Sequence, residues 1–182
     1  LALERLQQVP GSVAIVVFDL DRFNAVNDAL GYDQGDAVLI AAARRLRGAG
    51  REACPVLARL GGDEFLALIE GPGSFAGREA SIFAGRALEA LREPVLVDGR
   101  EIFMTATAGI AATTDGRVSA STILADADAA MHQGKAAGGA VVRVFGDSIR
   151  RGLVERLSTE HDLHRAVDRH ELALVYQPVV DL

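Results

Sequence analysis

Arg59-Leu60-Gly61-Gly62-Asp63-Glu64-Phe65 decides the reading of this chain, because it puts two acids between apolar runs where only a turn fits. Val56-Leu57-Ala58 leads in and Phe65-Leu66-Ala67-Leu68-Ile69 leads out, so the segment predicts a β-hairpin with Gly61-Gly62-Asp63-Glu64 at its tip. Adjacent glycines let a tip adopt positive φ and let a ligand approach the backbone closely. Asp63 and Glu64 are thereby held on a short, defined turn.

Upstream, Val13-Ala14-Ile15-Val16-Val17-Phe18 is a continuous apolar, β-branched run of the kind that forms a strand buried on both faces. It ends in Asp19-Leu20-Asp21. Carboxylates at the exit of a buried strand are costly unless paired or metal-bound, which makes Asp19 the natural partner of Asp63. Leu1 to Val9 reads as the end of a helix, broken by Pro10-Gly11. Phe23 to Leu30 reads as a short helix closed by Gly31. A second helix is predicted from about Asp36 to Arg47, with Val38, Leu39, Ala42 and Leu46 inward and Arg44, Arg45 and Arg47 on a solvated face.

Beyond the hairpin, Gly71-Pro72-Gly73 is a loop, and Ser74 is placed to cap a helix reaching Leu91, with Phe75, Ile82, Phe83, Ala87 and Leu88 inward. Pro94 stops it, and Val95 to Val97, the Asp98-Gly99 turn and Glu101 to Ala112 read as a second hairpin. Ser121 to Ala137 predicts a long helix with Ile123, Leu124, Ala127 and Met131 inward, and Val141 to Phe145 a closing strand. Hairpins and helices mixed in this order argue an α+β sandwich with a central, mostly antiparallel sheet, and not a doubly wound one. Residues 146–170 read as a charged helical linker with an interruption and cap at Ser158, followed by a strand over 171–182.

The chain has 182 residues, 49% hydrophobic and 24% charged, which suits a folded domain and excludes disorder. Its 19 basic and 25 acidic residues leave a net charge of −6, which argues against broad binding of nucleic acid or anionic membrane. The run Val13–Phe18 is far too short to cross a bilayer and no signal peptide is visible, so a soluble fragment is expected. Cys54 is the only cysteine and reads as a small buried hydrophobe in a reducing compartment.

Three blocks now stand in order: Phe18-Asp19-Leu20-Asp21-Arg22-Phe23 with Asn27-Asp28, Gly31 and Gly35-Asp36; the Gly61-to-Phe65 turn; and Ala127-Asp128-Ala129-Ala130-Met131-His132-Gln133-Gly134-Lys135. Together they resemble the GGDEF family of diguanylate cyclases over about residues 12–145, within a domain expected over 1–145 whose most N-terminal family motif would lie upstream of Leu1. The resemblance implies a nucleotide-cyclase or palm-like fold and condensation of two GTP into cyclic di-GMP. It implies Asp63, Glu64 and Asp19 as catalytic residues. Asp19, the Leu20 carbonyl and Asp63 would hold Mg²⁺, or Mn²⁺ in its place, a choice that suits hard oxygen ligands. Substrate contacts would come from Phe23, Asn27, Asp36, Lys135, Gly61 and Gly62. Asn27 and Asp36 would read guanine, and backbone amides around Asp21 to Phe23 would hold phosphate. Apart from the resemblance, Asn27 reads as a helix-surface residue, Asp36 as an N-cap and Lys135 as a helix-dipole partner. The implied partners are GTP, a second copy in a catalytic homodimer, and a C-terminal EAL domain, since Tyr176-Gln177-Pro178-Val179-Val180-Asp181-Leu182 is similar to the opening strand of that phosphodiesterase family. The implied location is cytoplasmic, in a full-length protein that missing segments would tether to a membrane.

Departures from the family pattern bear on activity. Asn24 and Gly139 stand where the family usually has Lys and Arg that contact the triphosphate, and His132 stands where it usually has Tyr, reading as packed or solvated. Glu52-Ala53-Cys54-Pro55 lacks the family's Arg-x-x-Asp, so no product-inhibition site is expected. Three functional classes follow: a Mg²⁺-dependent cyclase, a GTP-binding module that regulates an EAL domain, and a purely structural dimerisation domain.

Overall fold

In the computed structural model the described residues are 2–50, 55–147 and, further on, 149, 159, 163, 165–167, 169, 171, 173 and 175. The expectations for Cys54, for the segment 52–54, for the cap at Ser158 and for most of the strand 171–182 lie outside them. The chain divides into two compact units, Leu1–Gly146 and Asp147–Leu182. Within the second, residues 165–167 are helical, and the Arg169 and Glu171 amides donate to the carbonyls of Arg165 and Ala166 at 3.0 and 2.9 Å.

Strand β1 (Ser12–Leu20) is the axis of the first unit, and every residue of it is buried, as its unbroken apolar run predicts. Strands β2 (Val56–Gly61) and β3 (Glu64–Gly71) form the expected hairpin, and β3 pairs antiparallel with one side of β1. Strand β6 (Ala106–Thr113) pairs antiparallel with the other side and carries β7 (Val142–Val144) parallel to it. The sheet order is β2-β3-β1-β6-β7, the mostly antiparallel α+β arrangement expected. A separate two-stranded sheet joins β4 (Val95–Val97) to β5 (Arg100–Ile102).

Alternation along β1 divides the core. Ala14, Val16, Phe18 and Leu20 pack with residues of α3 (Tyr32–Ala49) and α4 (Phe75–Arg92), where the Phe18 and Phe83 rings meet edge to face at 5.7 Å. Such a ring pair adds about 0.5–1.5 kcal/mol beyond its buried area. Val13, Ile15 and Val17 face the other way, toward Ile123, Ala127 and Met131 of α5 (Ala120–Ala136), with Leu3 and Leu6 of α1 (Ala2–Gln8) at the margin. Helix α5 lies so close to β6 that a Cβ on Gly109 would come within 2.0 Å of the Ala127 carbonyl oxygen. Helix α2 (Phe23–Leu30) has the predicted limits, closed by Gly31.

Several expectations are corrected. Helix α3 starts at Tyr32, so Asp36 lies inside it and is not its N-cap. Gly35 occupies that first turn because any Cβ there would strike Oδ1 of Asn27, at 1.9 Å. Arg45 is not simply solvated: its guanidinium donates to the carbonyls of Glu93 and Pro94 at 2.5 and 2.7 Å, tying α3 to the end of α4. Ile82 is exposed and Ser74 makes no side-chain cap bond, whereas Ser119 caps α5 by accepting from the Thr122 amide. Glu101 to Ala112 is not one strand, because β5 pairs with β4 while β6 belongs to the main sheet.

Candidate active site

The predicted acids meet at one end of the sheet. Asp19 stands opposite Glu64 in the β1–β3 register, and the Leu20 amide donates to the Asp63 carbonyl oxygen at 3.3 Å, which ties the hairpin tip to the end of β1. A bulge between Arg59 and Gly61 precedes the tip, and Gly62 turns through φ +50°. Arg59 braces that turn: its Nε and Nη2 donate to the Gly62 carbonyl oxygen at 2.9 and 2.7 Å. The sequence reading did not assign Arg59 this role, although an Arg three residues before a glycine turn is within reach of it.

Asp19 alternates onto the α5 side of β1, and Lys135 near the end of α5 meets it as an ion pair through Oδ1. Apart from that ammonium, this buried oxygen has no hydrogen-bond donor among the described residues. Burial pushes the Asp19 carboxyl above its usual range; the Lys135 ammonium opposes this, and the negative charges of Asp63 and Asp21 add to it.

Asp21, two residues on, has a different environment. Its carboxylate accepts from the Thr105 and Thr107 hydroxyls, both at 2.7 Å, and from the Ala140 amide at 3.0 Å. The Asp21 amide donates to the Thr105 carbonyl oxygen at 2.8 Å, which removes it from the amides expected to hold phosphate. Gly139 lies over this junction at φ +77°, where an added Cβ would be 3.1 Å from Asp21 Oδ1. A glycine is needed here for backbone shape as well as for closeness.

The other site residues are distributed as follows. Phe23 is buried in the core, so its backbone at the start of α2 is what it has to offer. Asn27 is half-buried against Gly35, Asp36 is exposed one residue further on, and neither side chain has a hydrogen-bond partner among the described residues. Asp36 borders a cleft of about 450 Å³ between α3 and β2, lined also by Leu39, Ala43, Leu57, Arg59 and Phe65. Gly61 and Gly62 are exposed at the tip. Asn24 is exposed, and His132 is an exposed residue whose Nε2 lies 3.5 Å from Asp128 Oδ2.

No group of three or more His, Cys, Asp or Glu side chains among the described residues is arranged to hold a metal ion. One or two carboxylates with backbone and phosphate oxygens are the usual holders of Mg²⁺, and the under-satisfied Asp19 Oδ1 beside Asp63 fits that pattern.

A mostly antiparallel sheet whose buried central strand ends in an acid beside an acid-tipped hairpin is a fold of the nucleotide-cyclase type. The family profile described as "Diguanylate cyclase, GGDEF domain" matches residues 1–140, and the chain belongs to that family. An uncharacterized signaling protein of Caulobacter vibrioides is 35% identical over 98% of the chain. The bifunctional diguanylate cyclase/cyclic di-GMP phosphodiesterase MucR of Pseudomonas aeruginosa is 36% identical over 92% of it. The chain spans 22% and 24% of the length of these two relatives. The crystal structure of the GGDEF domain of YfiN (TpbB) from P. aeruginosa superposes with a TM-score of 0.71 at 33% identity, covering 80% of this chain and 89% of that one. Membership places the chain in bacterial cyclic di-GMP signalling. Among the described residues no helix is long and apolar enough to cross a membrane.

Proposed function

We propose that this domain is a diguanylate cyclase, condensing two GTP into cyclic di-GMP with release of two pyrophosphates. The observation that carries the reading is the convergence of Asp19, Asp63 and Glu64 where the hairpin tip is bonded to the end of β1. In each half-reaction a 3′-oxygen forms a bond to an α-phosphorus, the bond to pyrophosphate breaks, and the hydroxyl proton passes to solvent. Mg²⁺, or Mn²⁺, held by Asp19, Asp63 and the Leu20 carbonyl would neutralise phosphate charge and acidify the attacking hydroxyl. Glu64 assists from the same turn. Asn27 and Asp36 present an amide and a carboxylate that match the N1–H, N2 amine and O6 of guanine, and Lys135 supplies positive charge for the triphosphate. One GTP per protomer requires two domains to meet head to head, in the cytoplasm where GTP is available.

A second reading has its own support. Asn24 and Gly139 carry no charge, and Lys135 is committed to Asp19, which favours a GTP-binding module that regulates an adjacent EAL domain. Turnover of labelled GTP with Mg²⁺ by the full-length protein, resolved by chromatography with a calcium arm to trap product, separates the two. Cyclic di-GMP is expected from the wild type and is lost in a folded Asp63→Ala variant. Bound but intact GTP in a demonstrated dimer transfers the assignment to the regulatory module.

A further inference from the structure

We propose that Lys135 is a resident counter-ion that competes with a divalent cation for the Asp19 carboxylate, so that the site takes up metal tightly only when Lys135 is drawn to another anion. The inference rests on the reading of Asp19 as a cation ligand. Asp19 has a side chain only 10% exposed, and the oxygen that meets Lys135 has no other donor among the described residues. That atom is therefore both the strongest place for a cation and the place the ammonium already fills. Two cations against one oxygen repel each other, and burial weakens the solvent screening between them.

In the free protein Lys135 pairs with Asp19 and not with the other acid on its side of the strand end. Asp21, the next carboxylate along, is already met by two hydroxyls and an amide. The end of α5 is pinned by the Ala137 amide on the Gln133 carbonyl at 3.1 Å, the Gly139 amide on the Gly134 carbonyl at 3.1 Å, and the Ala140 amide on Asp21 at 3.0 Å. The backbone is held and the side chain, 32% exposed, is the part that can swing away. A polyphosphate offers it a new partner, and its departure vacates Asp19. Nucleotide and metal are then coupled through Lys135, each raising the other's affinity by the same factor.

The test is Mn²⁺ binding without nucleotide, read from the electron paramagnetic resonance of the free ion, on the wild type, Lys135→Met, Lys135→Gln and Lys135→Arg. Both neutral variants are expected to bind Mn²⁺ roughly ten-fold tighter than the wild type, within the usual span of coupling between sites, while Lys135→Arg stays as weak as the wild type. Adding Asp19→Asn to Lys135→Met removes the gain. Equal or weaker Mn²⁺ binding by both neutral variants, absence of Mn²⁺ binding throughout, or a gain that survives Asp19→Asn overturns the proposal. Because no turnover is measured, a tightened Mn²⁺ site in a protein that makes no cyclic di-GMP rejects the cyclase reading and leaves this inference standing.

Discussion

Asp19 and Asp21 leave the same strand end on the same side of the sheet, and the fold treats them in opposite ways. Asp21 is met by neutral donors from three places in the chain, Thr105, Thr107 and Ala140, so its charge is fully spent on joining β1, β6 and the segment after α5. Asp19 is more deeply buried, and among the described residues the partly exposed Lys135 ammonium is all that answers it. A carboxylate used for structure is saturated by groups that cannot leave. Asp19 keeps a single side-chain ammonium that can be exchanged for another cation.

This contrast breaks most visibly at Asp21. Asp21→Ala strands the Thr105 and Thr107 hydroxyls, leaves the Ala140 amide only its 3.1 Å bond to Thr107 Oγ1, and is expected to cost about 2–4 kcal/mol of stability, read from urea unfolding. A loss under about 0.5 kcal/mol, the level of an ordinary surface change, would put Asp21 outside the structural role. Gly139→Ala probes the same junction from the opposite side. Forcing a side chain into the left-handed region above Asp21 is expected to cost about 1–2 kcal/mol, and an unchanged melting temperature would refute the need for glycine there.

Asp19 sharpens the comparison with the smallest effect and the opposite sign. Its folded carboxyl titrates above 3.8, so the folded chain holds that proton more tightly than the unfolded chain does. The stability linked to it is fully present below 3.8 and is lost as pH rises through the raised value. Asp19→Asn is expected to flatten this decline and to leave the protein at neutral pH at least as stable as the wild type. A clear loss of stability at neutral pH would mean that the Lys135 pair holds the fold together, as the Asp21 junction does.

What could be read from sequence was what is local. The run Val13–Phe18 announced β1, Gly61 to Glu64 announced the tip, and Gly31 marked the end of α2. Asp36 was misplaced because α3 starts without a capping side chain, and its first turn contains Gly35, a poor helix former kept there as clearance for Asn27. The strand from Glu101 onward looks continuous because partner choice leaves no local signature: β5 turns to β4, while the Thr105 hydroxyl donates to the Asp21 carboxylate and its carbonyl accepts from the Asp21 amide. For the same reason the Lys135–Asp19 pair was invisible. Its members are far apart in the chain, and only the alternation of β1 and the seating of α5 bring them together.

The position of β1 has a consequence for how the chain is made. Val13 pairs with Glu70 on one side and with Thr113 on the other. During synthesis, therefore, the most apolar strand waits for its second neighbour until β6 has left the ribosome, with an open edge able to recruit strands from other chains. Loop closure over such distances slows folding. The central position that holds the acids in register is thus also what delays their assembly, and a nascent chain stalled before Ala106 is the form most in need of a chaperone.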